Sequence, residues 1–220
     1  MSDKETIAIL GGTGDLGTGL AIRWSKAGHN IVIGSRTIEK AEAAVAALQE
    51  ISPGTPAQAM ENLDAAAAGD IVVLTVPADH QISTLDYVKA NLKGKILIDV
   101  TVPLVPPKVG TVQLPKEGSA GKRAQDFLGE EVMVVTAYQN IAAHLLQQDV
   151  TIECDVLVAG NKKAAREKVI ELSEAAGMNA WHAGPIANSA AAEALTSILI
   201  QINRSGLVSH SGIKIIGQEH

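Results

Sequence analysis

Three glycines at fixed spacing, Gly12-x-Gly14-x-x-Gly17, close the apolar run 6–10 and open a helical pattern. Each glycine answers a separate demand: a tight turn at Gly12, close approach of backbone to a phosphate at Gly14, and close packing of helix on strand at Gly17. A helix beginning there turns its free N–H groups and positive dipole end toward an anion. Thr13 and Leu16 share the turn and supply backbone N–H groups, with the Thr13 hydroxyl as a further donor. Asp15 would be repelled by phosphate, so it is expected to face solvent or cap the helix. No Gly-Lys-Ser/Thr follows, which excludes a P-loop. The reading is a dinucleotide site.

A second group follows about 20 residues later, where sites for the non-phosphorylated dinucleotide place an Asp or Glu on the ribose hydroxyls. Here the run "IVIGSRTIEK" gives Ser35, Arg36 and Lys40 instead. Arg36 can fork onto a phosphate and lay its planar face on adenine. Lys40 in the first turn of a helix opposes the macrodipole, a cost that a bound 2′-phosphate offsets. The combination selects NADP(H) over NAD(H).

NADP suggests hydride transfer, yet the usual acid–base partners are missing. Neither Tyr87 nor Tyr138 starts a Tyr-x-x-x-Lys, and no His/Cys/Asp cluster has metal-ligand spacing. His80 and His144 stand alone, and Asp86 and Glu193 fit helix-surface roles. No room remains for a helical substrate domain of about 100 residues, the size of a separate domain. Hydride exchange between two redox cofactors fits this poverty, since it needs two stacked rings and little proton chemistry from the protein.

The elements that position these residues follow from near-continuous Val/Ile/Leu runs at 6–10, 30–34, 70–76, 95–100, 132–137 and 154–160. Such runs belong to strands buried on both faces. Helical stretches lie between them at 16–28, 37–50, 61–68, 79–92 and 163–176. The alternation predicts a Rossmann-type α/β fold, a doubly wound parallel sheet with a small C-terminal α/β appendage. The expected organisation is an NADP-binding domain over 1–150 and a segment over 151–220 that completes the substrate site. Residues 101–118 hold four of the eight prolines and read as an extended loop, either functional or an ordinary surface excursion. Leu195, Ile198, Leu199 and Ile202 form one apolar stripe on a helix over 189–204, expected to bury against a second subunit in a homodimer.

Composition closes off other classes. Apolar residues make up 46% and aromatics 2%, so Ala, Val, Ile and Leu fill the core, and the formal charge of −6 argues against nucleic acid. A single cysteine, Cys154, fits a reducing compartment. The polar start, Met1-Ser2-Asp3-Lys4-Glu5, is not that of a signal peptide. No window reaches the roughly 18 apolar residues of a membrane span. A soluble cytoplasmic protein without a membrane partner is expected.

The blocks "IAILGGTGDLGTGLAIR", "IVIGSRTIEKAE", "DIVVLTVPADH", "VVTAYQNIAAHL", "CDVLVAGN", "AGPIANSAAAEALTSILI" and "SGIK" span nearly the whole chain. Together the chain resembles the NADPH-dependent reductases of the 5-deazaflavin coenzyme F420; the first two blocks are shared with the reductase domain of membrane metalloreductases. The resemblance implies that Thr13, Gly14, Asp15 and Leu16 hold the pyrophosphate, and Ser35, Arg36 and Lys40 the 2′-phosphate. It further implies cofactor contacts at Val76, His80, Ala143 and, through backbone, Ser211. Gln139, Asn140 and Thr196 would orient the polar edge of the deazaflavin. Two departures stand out: Ala190 follows Asn188-Ser189 where several members carry Arg, and Gln139 stands where some carry His. Another flavin, a small carbonyl or imine acceptor, or a non-enzymatic NADP(H) sensor stay open as alternatives.

Overall fold

Alternation along β1 (Thr6–Leu10) sorts its side chains to two faces: Ile7 and Ile9 go one way, Ala8 and Leu10 the other. The same division runs through β2 (Asn30–Ser35), β4 (Ile71–Leu74), β5 (Ile96–Asp99) and β6 (Met133–Thr136), while β7 (Val156–Gly160) adds Val156 and Val158 to the first side only. It creates two cores, one on each side of a single sheet. In the computed structural model, which describes residues 4–217, the first core holds α1 (Asp15–Lys26), α2 (Ile38–Ile51) and α7 (Lys163–Ala175) against the sheet through Leu20, Trp24, Leu48, Val169 and Leu172. The second holds α3 (Asn62–Ala68), α4 (Gln81–Val88) and α5 (Ala120–Leu128) through Ala65, Leu85, Val88, Ala124 and Leu128. Met1, Ser2 and Asp3, part of the polar start, lie outside the described residues.

With β3 (Ala57–Glu61) and β8 (Ala180–Gly184) added, the strand order is β3-β2-β1-β4-β5-β6-β7-β8. The six strands from β3 to β6 follow doubly wound order, with the reversal between β1 and β4 where such sheets bind ligands. One junction departs from the expected all-parallel sheet: β7 runs antiparallel to β6, pairing Gly160 with Val135 and Ala159 with Thr136. The connection between them, residues 137–155, holds no helix longer than the four-residue α6 (Ala143–Leu146), so no full crossover helix lies between β6 and β7. From residue 156 onward, β7, α7 and β8 form a parallel unit on the same sheet.

Four elements beyond those expected from the apolar runs are present: β3, α5, α6 and β8. β3 and β8 are the sheet edges, and Gln58, Glu61, Trp181 and His182 there face water, so neither segment carries a continuous apolar run. Residues 101–118 do lack helix and strand; they lie against α8 (Ser189–Arg204), where Ser197 Oγ donates to the Thr111 carbonyl at 3.5 Å. α8 spans the expected residues, and within the chain it packs largely through a face other than the stripe expected to meet a second subunit. Ser189, Ala192, Glu193, Ser197 and Leu199 are buried, whereas Ile198 is 48% and Ile202 41% exposed. Among the described residues, no helix is long and apolar enough to cross a membrane.

Candidate active site

The loop between β1 and α1 separates the glycines by their surroundings. Gly11, not Gly12, takes the left-handed backbone (φ 70°) of the tight turn, and a Cβ there would lie 2.7 Å from Val76 Cγ1. A Cβ on Gly12 would meet the Ile9 carbonyl at 2.8 Å, and one on Gly17 would meet Gly12 Cα at 2.7 Å and Thr75 Oγ1 at 3.0 Å. Gly14 differs: its nearest neighbour would be the Gly11 carbonyl at 4.0 Å, so open space lies before it. Gly14 also N-caps α1 without a side-chain bond, and the first helical bond runs from Thr18 N to the Gly14 carbonyl at 2.9 Å. The N–H groups ahead of that bond are the donors a helix start leaves for an anion. Thr13 and Asp15 are exposed and Leu16 half-buried; Asp15 does not cap the helix. Asn62, buried at the start of α3, braces the loop by accepting from Gly11 N at 3.3 Å.

Ser35 ends β2 and is buried, while Arg36 and Lys40 are exposed around the start of α2. A cleft of about 310 Å³ opens beside them, lined by Ser35, Arg36, Glu61, Asn62, Ser83, Thr84 and Tyr87. Lys40 stands outside that lining, within the first turn of α2. On the other side of the glycine loop comes the turn after β4, where Thr75 N and Oγ1 both donate to the Leu10 carbonyl, at 3.0 and 2.9 Å. This bond pair sets Val76 against Gly11; His80 is exposed just before α4.

Ala143 opens α6, which sits on α1 at Gly19, where a Cβ would fall 2.5 Å from Leu146 Cβ. Arg23 fastens this corner: its guanidinium donates to the carbonyls of Leu145, Leu146, Gln148 and Val150 at 2.9–3.2 Å. Burial lowers its pKa, with Asp149 opposing. Gln147 Nε2 then reaches the Asp15 carbonyl at 3.0 Å, linking the corner to the glycine loop.

The structure brings Gln139, Asn140 and Thr196 together. Thr196 Oγ1 lies 2.9 Å from the Gln139 carbonyl and 3.5 Å from Asn140 Oδ1. Gln139 Nε2 donates to the Asp99 carbonyl at 3.3 Å. Just upstream, Tyr138 has φ 71°, an uncommon conformation for a large side chain. Its ring is buried edge-on to Trp24, and its hydroxyl is 2.8 Å from Ser173 Oγ. A second cleft, of about 560 Å³, lies beside this segment between Ala142, Leu145, Cys154, His210 and Ile213. The His210 ring meets that of His144 at a tilt of 51° with centroids 3.7 Å apart. Ser211 is held at the far end of α8: its N–H donates to Asn203 Oδ1 at 2.9 Å and its hydroxyl to the Leu199 carbonyl at 3.2 Å. The tail continues along the approach to β7, with the Ile213 carbonyl accepting from Asp155 N at 2.8 Å.

A buried charged network joins residues that no motif links in the sequence. Asp99 ends β5 fully buried, accepting from Thr101 N at 2.9 Å and from Gln81 Nε2, while Arg123 Nε donates to Gln81 Oε1 at 2.7 Å. Burial raises the Asp99 pKa against the lowering effect of these bonds and of Arg123. Glu193, expected on a helix surface, is 1% exposed, because α8 turns it onto the start of α5. It accepts from Ala120 N at 2.7 Å and Gly121 N at 3.0 Å, filling a helix N-terminus with a carboxylate. Burial pushes its pKa up to about 7; the two N–H bonds and Arg123 work against that rise, and Asp99 adds to it. A glutamate one position past an alanine stripe carries no sequence sign of such a role; only the turned face of α8 reveals it.

The family profile for NADP oxidoreductase, coenzyme F420-dependent, matches residues 6–103, covering the glycine loop, the Ser35, Arg36 and Lys40 group and the turn after β4. The F420-dependent NADP reductase of Methanocaldococcus jannaschii is 39% identical over 222 residues, covering 97% of this chain and 99% of the relative. That of Methanothermobacter thermautotrophicus is 40% identical over 218 residues, covering 95% and 94%. Among solved structures, a putative F420-dependent NADP reductase from Arthrobacter sp. FB24 superimposes with a TM-score of 0.80 at 27% identity, covering 96% of this chain and 99% of that one. With identity near 40% over almost the full length of both partners, the chain belongs to the coenzyme F420-dependent NADP oxidoreductase family.

Proposed function

We propose that this protein exchanges hydride between NADP(H) and coenzyme F420, with the glycine loop and the Ser35–Arg36–Lys40 clamp holding the dinucleotide. The carrying observation is the contrast at the loop. Gly11, Gly12 and Gly17 are packed tight, while Gly14 faces open space at the start of α1. That shape fits a pyrophosphate on a helix N-terminus. When bound, NADP(H) supplies the hydride at its nicotinamide C4, and the deazaflavin carries the matching position at C5.

The chain's own part is to bind, orient and exclude water. Thr13, Asp15 and Leu16 offer backbone N–H groups to the pyrophosphate, and Arg36 and Lys40 meet the 2′-phosphate. Val76 and His80 border the dinucleotide after β4. Ala143 stands near the nicotinamide, held there by Arg23 and Gly19, and Ser211 closes that end through its backbone. Gln139, Asn140 and Thr196 orient the polar edge of the second ring, which the cleft between Ala142, Cys154 and Ile213 accommodates. The segment from residue 151 onward thereby completes the substrate side, and a single cysteine supports a reducing, cytoplasmic setting. The exposed Ile198 and Ile202 on α8 support a homodimer built on that face.

The test is oxidation of NADPH followed with coenzyme F420, a riboflavin-type flavin and small carbonyls as parallel acceptors. Turnover with coenzyme F420 is expected, and its absence at saturating NADPH overturns the reading. The absence of Arg at position 190 favours one second reading, an acceptor with a less anionic tail, which would show as preferential turnover with the plain flavin. Light scattering tests the dimer, with a monomer as the contrary result.

A further inference from the structure

The phosphate clamp contains an acid after all, supplied by the neighbouring strand. β3 pairs with β2 in parallel, and the register sets Glu61 opposite Ser35. Paired positions in adjacent strands lie about 5 Å apart. Both residues, together with Arg36, line the cleft of about 310 Å³. Glu61 is exposed there and stands at the N-cap of α3, yet its side chain makes no cap bond. Among the described residues, no salt bridge joins it to Arg36 or Lys40. Among the described residues the carboxylate thus has no hydrogen-bond or ion-pair partner, and it faces the cleft beside Arg36.

We propose that Glu61 is a specificity-determining residue, one that limits the preference for NADP(H) over NAD(H). The inference rests on the NADP(H) reading of the clamp. A carboxylate facing the same cleft as Arg36 opposes a 2′-phosphate dianion and accepts a hydrogen bond from a free 2′-hydroxyl. The two cations therefore set the sign of the preference and Glu61 restrains its size. One charge acting across a solvent-open cleft at this range alters affinity by a factor of roughly three to ten. Added salt screens the effect.

The experiment measures binding rather than turnover. Adenosine 2′,5′-bisphosphate and adenosine 5′-monophosphate are titrated calorimetrically into wild type, Glu61→Gln and Glu61→Lys, at low and high salt. The expected result is roughly three- to tenfold tighter binding of the bisphosphate by Glu61→Gln and a further gain in Glu61→Lys. The monophosphate should gain nothing, and the differences should shrink at high salt. Unchanged bisphosphate binding in both variants overturns the role of Glu61 and leaves the clamp intact. Weaker bisphosphate binding also overturns it, since Glu61 would then be organising Arg36. If wild type itself fails to prefer the bisphosphate, the NADP(H) reading falls and Glu61 falls with it.

Discussion

Thr196 Oγ1 donates to the Gln139 carbonyl at 2.9 Å, tying the middle of α8 to the segment leaving β6. That segment departs through the left-handed backbone of Tyr138, a conformation costing on the order of 1 kcal/mol or more. The neighbouring contacts must over-determine it. Thr196→Val keeps the shape of the side chain and removes the bond. The variant should bind NADPH as wild type does while losing about tenfold in kcat/KM for the deazaflavin, the effect of one lost hydrogen bond. Calorimetry on NADPH paired with steady-state kinetics checks this. An equal loss in NADPH affinity would show that Thr196 supports the whole cleft instead of one ring.

The glycines make an internal control. Gly14→Ala places a methyl in open space on backbone of ordinary conformation (φ −87°), so the folding stability should stay within about 0.5 kcal/mol of wild type. NADPH binding should nonetheless weaken at least about tenfold, because the methyl occupies the approach to the pyrophosphate. Gly17→Ala reverses the pattern. Its Cβ would sit 2.7 Å from Gly12 Cα, so α1 must move off β1, and the loss should reach about 1–3 kcal/mol. Urea unfolding and NADPH titration on both proteins separate packing from binding.

Arg36→Ala should raise the dissociation constant for NADPH by roughly ten- to a hundredfold, as expected for a charge-assisted contact to phosphate. NADH binding should move by no more than about fivefold, because NADH loses only the stacking of the guanidinium on adenine and no phosphate contact. Fluorescence titration of both nucleotides decides it, and equal weakening would remove the phosphate argument.

Much of this arrangement is legible in the chain because buried parallel strands announce themselves. "TIAIL", "DIVVLTV" and "KILIDV" carry no polar alternation, and the first of them ends at once in glycines. The clamp is equally plain, since a cation standing where an acid is usual points directly to one more phosphate on the ligand. What stays hidden depends on neighbours far away in sequence. β3 reads "AQAME" because an edge strand needs apolar cover on only part of its surface, so the strand that brings Glu61 beside Ser35 leaves no periodic trace. The stripe Leu195, Ile198, Leu199, Ile202 gives the helix but not the face through which it packs within the chain. α5 and the proline-rich loop select the face of Ser189, Glu193 and Ser197, and neither tertiary contact is written locally. The antiparallel pairing of β7 with β6 likewise leaves no mark in either apolar run, since strand direction is set by the path of the chain between them.

Glu193 offers the clearest pH signature. Its carboxyl has a pKa raised to about 7 in the folded protein from an ordinary 4.5, and burial is the main cause. A raised pKa means that the folded state holds the proton more tightly than the unfolded chain does. The associated stability is therefore fully present below the ordinary value and is lost as pH rises through about 7. Asp99, also raised by burial, acts in the same direction, and Arg123 moderates both. Glu193→Gln abolishes this titration. The variant keeps one acceptor for Ala120 N or Gly121 N and turns an amide NH₂ toward the other, so it should be less stable than wild type at low pH. The gap should narrow as pH rises, by up to an amount on the order of 3 kcal/mol. Urea midpoints for both proteins at several values from about pH 5 to about pH 8 measure the trend. A gap that stays constant would mean that Glu193 remains ionised throughout and that the two N–H bonds on α5 outweigh its burial. A gap that widens with pH would reverse the sign and place the carboxylate among the groups stabilised by the helix end.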